Sequence, residues 1–226
     1  MSDDLERLDR DGALAESLGP LAPSTRRTVL RTLAAAGLIG SAAALAGAGA
    51  ADAATEPHGD VAILNYALTL EYLQSAFYTE VERIGALTGE TARMARIVGA
   101  HERAHVRMLQ GVLGSKAVAR PTFDFHGATD SEDAFVRTAV AFEDLGVAAY
   151  KGQAPRIASP AYLAAALAIH ANEARHAAWI RRIAGIVPAQ SAFDQPATAA
   201  HVVQVVNSTH FIAGRTQAAG MPGFTG

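Results

Sequence analysis

The feature that most constrains this chain is one spacing that occurs in both of its halves. Glu71 precedes Glu102 by 31 residues, Glu143 precedes Glu173 by 30, and the second glutamate of each pair opens a Glu-x-x-His that closes at His105 or His176. The stretches carrying these residues are long and alanine-rich, with apolar side chains at helical spacing and no sustained period-two alternation. Four long helices are predicted, over residues 60–84, 90–113, 131–152 and 160–185, with a shorter one over 198–212 and a loose tail from Gly214. The midpoint of the first glutamate pair falls in the break from Gly85 to Gly89, and that of the second at Ala158, beside Ser159-Pro160, a cap followed by proline at the first helical position. Each hairpin therefore returns its second glutamate to the level of the first. The 17 residues between the second and third helices can reach up to about 55 Å when extended, enough to run the length of a bundle. The expected fold is all-α, a four-helix bundle with one long crossover and a short C-terminal helix, in which all four glutamates lie at one depth.

The ordinary place for a glutamate is a solvated helix face, and the neighbours argue against it here. Glu71 shares a stripe with Leu64, Ala67, Leu68, Ser75 and Tyr78; Glu143 with Val136, Ala139, Val140, Val147 and Tyr150; Glu173 with Ala166, Ile169, Ala177 and Ile180. Glu102 is bracketed by Ala95, Val98 and Leu109. An unpaired buried carboxylate costs several kcal/mol or takes up a proton, so four converging ones need cations, and two divalent ions would balance them. Three residues is nearly one helical turn, so His105 and His176 project beside Glu102 and Glu173. A single Glu-x-x-His is more often a hydrogen-bonded core histidine than a ligand, but duplication at matched spacing favours the metal.

Through Leu70-Glu71-Tyr72-Leu73, His101-Glu102-Arg103-Ala104-His105, Phe142-Glu143-Asp144-Leu145-Gly146-Val147 and Asn172-Glu173-Ala174-Arg175-His176, residues 60–186 resemble the ferritin-like superfamily, and within it the exported, desiccation-associated branch. The resemblance implies that Glu71 and Glu143 are metal ligands from the first and third helices, and that each Glu-x-x-His supplies a glutamate able to bridge and a terminal histidine. It implies two iron ions, with manganese as the alternative. Gly146 departs from an ideal helix interior and suggests a local bulge beside Glu143. An oxygen-rich dinuclear site with open positions suits redox chemistry with dioxygen or hydrogen peroxide. The expected activity is that of an oxidoreductase oxidising Fe2+ or reducing oxygen or peroxide. A manganese catalase and a metal-stabilised helical envelope protein without turnover are the alternatives. A homo-oligomer is left open, since no assembly surface can be read.

His101-Glu102-Arg103-Ala104-His105 also fits the His-Glu-x-x-His helix of zinc proteases. The longer form of that motif fails at Met108 and Gly111. No strand is expected that could bind an extended peptide, and the second half keeps Glu173 and His176 with Asn172 in place of the leading histidine. Tyr78 and Tyr150 lie seven residues beyond a ligand glutamate, about 10.5 Å along the helix, too far to share its metal. They read as packed core tyrosines or as hydrogen-bonding and electron-transfer groups behind the ligands. His101 and His170 are solvent-edge histidines or donors to the ligands, and Trp179 reads as packing.

Residues 1–53 read as an address. Arg26-Arg27 with Val29-Leu30 and Arg31, then an uncharged Ala/Gly/Leu-rich run to Ala51, resemble a twin-arginine export signal, with Ala51-Asp52-Ala53 as a cleavage site. The uncleaved alternative is a membrane anchor. The expectation is a cleaved signal, a domain over 54–226, the twin-arginine machinery as a partner and a periplasmic or extracellular location. That route carries folded proteins and is often used by those that acquire a cofactor beforehand. Without cysteine, disulfides and thiolate sites are excluded and any metal must use nitrogen and oxygen ligands. A net charge of -3 with scattered basic residues gives no footprint for nucleic acid.

Overall fold

A computed structural model describes residues 56–213. The expected signal over residues 1–53 and the expected tail from Gly214 lie outside the described residues. Four long helices follow one another: α1, Asp60–Ile84; α2, Gly89–Leu113; α3, Glu132–Gln153; and α4, Pro160–Ile183. A shorter α5 covers Ala199–Thr209. The breaks have local causes. Gly85 adopts the left-handed conformation and donates its N–H to Val81 O, closing α1. Ser131 caps α3 by accepting from the Ala134 N–H, and Ser159 caps α4 from the Tyr162 N–H, with Pro160 at the first helical position.

α1 packs mainly against α2 and α3 against α4, so the two hairpins read from the glutamate spacing are present. α1 is buried on nearly every side, as a helix apolar all round must be. Two apolar layers flank the glutamates. One is aromatic, with Phe77 stacked on Phe135 and edge-on to Phe125 and Phe142. The other gathers Leu64, Leu68, Leu109 and Ile169.

The crossover from α2 to α3 is pinned to α1. Asn65 donates to Lys116 O and accepts from the Val118 N–H, each at 2.9 Å, and the Tyr72 hydroxyl donates to Val118 O at 3.2 Å. Contrary to the strand-free expectation, the crossover forms a two-residue strand β1, Thr122–Phe123, antiparallel to β2, Ile212–Ala213. Two residues cannot show alternation, and the partner lies some ninety positions away. The same feature shortens the last helix: His210 takes φ 56° and ends α5 at Thr209, and the chain then turns into β2.

Glu56 ties the start of this body to its far end. One carboxylate oxygen accepts from the Ala199 N–H at 2.6 Å at the start of α5, and the other accepts from Gln153 Nε2 at 2.8 Å and pairs with Arg156 at 3.1 Å. No described helix is long and apolar enough to cross a membrane.

Candidate metal centre

The six residues singled out by spacing come together between the two apolar layers. Glu71 comes from α1, Glu102 and His105 from α2, Glu143 from α3, and Glu173 and His176 from α4. They form two overlapping groups, Glu71 with Glu102, His105 and Glu173, and Glu102 with Glu143, Glu173 and His176; within each group the ligand atoms lie within 4.8 Å of one another. Glu102 and Glu173 belong to both. Each hairpin supplies one shared glutamate, and the site is incomplete without both hairpins.

The four glutamates have no exposed surface. His105 Nδ1 stands 3.2 Å from Glu71 Oε2, 3.4 Å from Glu102 Oε2 and 3.4 Å from Glu173 Oε1. His176 Nδ1 stands 3.0 Å from Glu102 Oε1, 3.4 Å from Glu143 Oε2 and 3.5 Å from Glu173 Oε1. Both histidines thus aim Nδ1 inward, and Glu102 turns one oxygen to each. Short as these distances are, Glu102 Oε1 and Oε2, Glu143 Oε2, Glu173 Oε1 and His176 Nδ1 are buried without a hydrogen-bond partner among the described residues. Buried polar atoms are almost always satisfied. These five atoms meet their neighbours only as ion pairs without a hydrogen bond, an arrangement a cation would complete, and a donor set of only carboxylate oxygen and imidazole nitrogen suits iron, manganese or zinc.

The electrostatics express the same demand. Burial pushes the Glu71 carboxyl up to about 8, reinforced by the charge of Glu102, and burial also raises Glu143 and Glu173. Burial opposes charge on Glu102 too, but the two imidazoles beside it outweigh that and hold it at about 2. Burial likewise works against charge on the histidines, yet the facing carboxylates hold His105 up at about 10 and His176 at about 12.

Behind the six, the structure places groups whose roles the sequence leaves open. The Tyr78 hydroxyl donates to Glu143 Oε1 and the Tyr150 hydroxyl to Glu71 Oε1, each at 2.5 Å. Each tyrosine serves the glutamate of the opposite hairpin. His101, the leading histidine of the protease-like motif, points away from the convergence and brings Nδ1 to 2.9 Å from His176 Nε2, where Asn172 also arrives at 2.6 Å. These two residues occupy the same place in the two repeats, four before the histidine, and meet at one imidazole. A zinc-protease site would need His101 and His105 on one ion, and the structure turns them to different neighbours. Trp179 packs against the aromatic layer and donates Nε1–H to Glu90 at 3.2 Å.

α3 runs unbroken through Gly146, so the expected bulge is absent. The glycine answers a need for space: a Cβ there would stand 2.8 Å from Glu173 Oε2. Gln74, unremarked in the sequence, donates Nε2–H to that same oxygen at 3.2 Å. Its spacing from Glu71 is the signal that could have found it, since three residues along a helix returns to nearly the same face.

A family model described as the ferritin-like domain matches residues 59–185. No curated protein matches the chain. Among solved structures, the crystal structure of a conserved hypothetical protein from Mycobacterium tuberculosis is similar at 20% identity and a TM-score of 0.49, over 59% of this chain and 96% of that one. With more than half of its length matched by the family model, the chain belongs to the ferritin-like domain family.

Proposed function

We propose that this chain is an exported dinuclear metal-carboxylate protein, with iron as the first choice of metal and manganese as the second, that oxidises ferrous iron or reduces dioxygen or hydrogen peroxide. The observation that carries this reading is the set of five buried ligand atoms without a hydrogen bond on Glu102, Glu143, Glu173 and His176. Glu71 and His105 would complete one position, Glu143 and His176 the other, and Glu102 and Glu173 would serve both. Two divalent ions balance four carboxylates. When bound, they supply two electrons, one from each ion, enough to reduce hydrogen peroxide and two protons to two waters.

The residues of the chain set the terms for that chemistry. Full burial of the four glutamates keeps bulk water from competing for their oxygens. Tyr78 and Tyr150 fix the terminal glutamates by donating to the oxygen of each that the site does not use. A histidine that binds through Nδ1 leaves Nε2 to its surroundings, and at His176 that nitrogen is flanked by His101 Nδ1 at 2.9 Å and Asn172 Nδ2 at 2.6 Å, which hold the ring in place. His105 is the most accessible of the six, with 12% of its side chain exposed, so entry beside it suits a metal ion, dioxygen or peroxide rather than an organic substrate.

Metal-free protein titrated anaerobically with Fe2+ is expected to take up two ions per chain and then to consume oxygen or peroxide. Glu102→Ala with His105→Ala should abolish both. Equal metal in wild type and variant would overturn the reading. Bound metal with no turnover would support the metal-stabilised structural alternative, and rapid peroxide dismutation by a manganese-loaded form would identify a catalase. Export rests on Arg26-Arg27 and the uncharged run after Arg31. Lysine at both arginines is expected to leave the full-length precursor inside the cell, and undiminished export of that variant would contradict the proposed route.

A further inference from the structure

The two shared glutamates occupy matching places in the repeat, yet the structure does not treat them alike. Glu102 has both oxygens buried and without a hydrogen bond, Oε1 facing His176 and Oε2 facing His105. Glu173 turns only Oε1 inward, nearly equidistant from His105 Nδ1 and His176 Nδ1 at 3.4 and 3.5 Å. Its Oε2 is held off the site. It accepts from Gln74 Nε2 at 3.2 Å and lies against the backbone of α3 at Gly146, where a Cβ would stand 2.8 Å away.

The repeat is broken where it would have to be for this difference to arise. Gln74 stands three residues after Glu71, and Gly146 three residues after Glu143. One half offers a donor at this position and the other offers room. Gln74 is buried, at 3% exposure, and the cleft beside it is lined by Leu70, Leu73, Phe142, Leu145 and Val206. None of those side chains can hydrogen-bond, so the glutamine amide is the polar group that holds Oε2. An interior glutamine costs side-chain entropy and desolvation, and a glycine in mid-helix costs about 1 kcal/mol relative to alanine. Both costs fall on residues that touch the same oxygen.

We propose that Gln74 and Gly146 form a seat for the Glu173 carboxylate, turning it to offer one oxygen to the metals while Glu102 offers two. Gln74 is thus a positioning residue, acting through Glu173. The inference rests on the dinuclear reading above and adds to it an inequality between the two shared carboxylates. A carboxylate with a second oxygen parked on an amide has somewhere to return to when the charge in the site changes, and Glu102 has no such seat.

The test uses Gln74→Met, which removes the donor at similar length, and Gly146→Ala, which keeps the donor and fills the room. Folded, metal-free wild type and variants are titrated with Co2+ under argon, reading stoichiometry, affinity and the visible bands that report on coordination. Wild type is expected to bind two ions. Each variant should still bind cobalt but with altered visible bands and an affinity about tenfold lower for at least one ion, the low end of what loss of a group orienting a ligand costs. Gln74→Glu, which keeps the length but sets a second carboxylate against Oε2, should shift the bands further. If wild type binds two ions and Gln74→Met and Gly146→Ala both reproduce its bands and affinities, the seat is refuted while the metal reading stands. If wild type binds none, both fall. Should Gly146→Ala fail to fold, Gln74→Met and Gln74→Glu decide the matter alone.

Discussion

Glu143 and Glu71 are each gripped by a tyrosine from the opposite hairpin, Glu143 by Tyr78 and Glu71 by Tyr150. Loss of one such donor should therefore be felt in one half of the site. Tyr150→Phe is expected to lower affinity for one ion of the two by about tenfold and to leave the other nearly unchanged; stepwise titration reads this, and equal weakening of both would contradict it. Protons make a second prediction. The metal-free folded protein holds protons on Glu71 up to about 8 and on His105 and His176 up to about 10 and 12, whereas the ordinary values are 4.5 and 6.5. A group that keeps its proton longer when folded loses stabilising effect as pH rises through its folded value. Stability of the metal-free protein should fall from about pH 5 to about pH 10, first through Glu71 and then through the two histidines; Glu102, held at about 2, acts in the opposite sense only below pH 4.5. Metal must displace these protons, so its affinity should rise over the same range, with proton release visible in weakly buffered titrations. Stability that climbs with pH in metal-free protein would refute this. At this scale the six converging residues were legible, because spacing and an apolar stripe together report a helix face. The tyrosine contacts were not. Counting along one helix measures Tyr78 against Glu71 and says nothing of Glu143 across the bundle, toward which a long side chain leans as it points back along its own helix.

The helices themselves were legible nearly to the residue wherever a glycine, a capping serine or a proline marked the end. α1 ends at Gly85 and α4 begins at Ser159-Pro160 for reasons visible in the chain. The end of α5 and the β1 to β2 ladder were not, because His210 carries no helix-stop signature and a two-residue strand has no period. Glu56 should matter locally. It caps α5 through the Ala199 N–H and pairs with Arg156 and Gln153 near the end of α3. Glu56→Ala should cost about 1 to 3 kcal/mol, the penalty of a lost cap together with buried donors left unsatisfied. Hydrogen exchange should rise in α5 while α1 and α2 stay protected. Uniform loss of protection across all five helices would show that Glu56 supports the whole bundle rather than its far end.

For the molecule as a whole, the two hairpins meet over a site to which each contributes three of the six residues, so metal should couple them. Metal that binds the folded chain alone stabilises it in proportion to the logarithm of its concentration over its dissociation constant, and melting should become a function of free metal. The broad architecture could be read from the chain because the glutamate repeat, the turn residues and the apolar stripes all require the same two hairpins. What could not be read is the asymmetry laid over that repeat, since Gln74 and Gly146 acquire meaning only once both are seen against Glu173. The most direct test of the central claim is anomalous diffraction from crystals of the protein loaded anaerobically with Fe2+. Two iron peaks are expected, one enclosed by Glu71 and His105, the other by Glu143 and His176, with Glu102 and Glu173 reaching both. An ion-free site, with the glutamates closed on one another and on the two histidines at millimolar iron, would contradict the account.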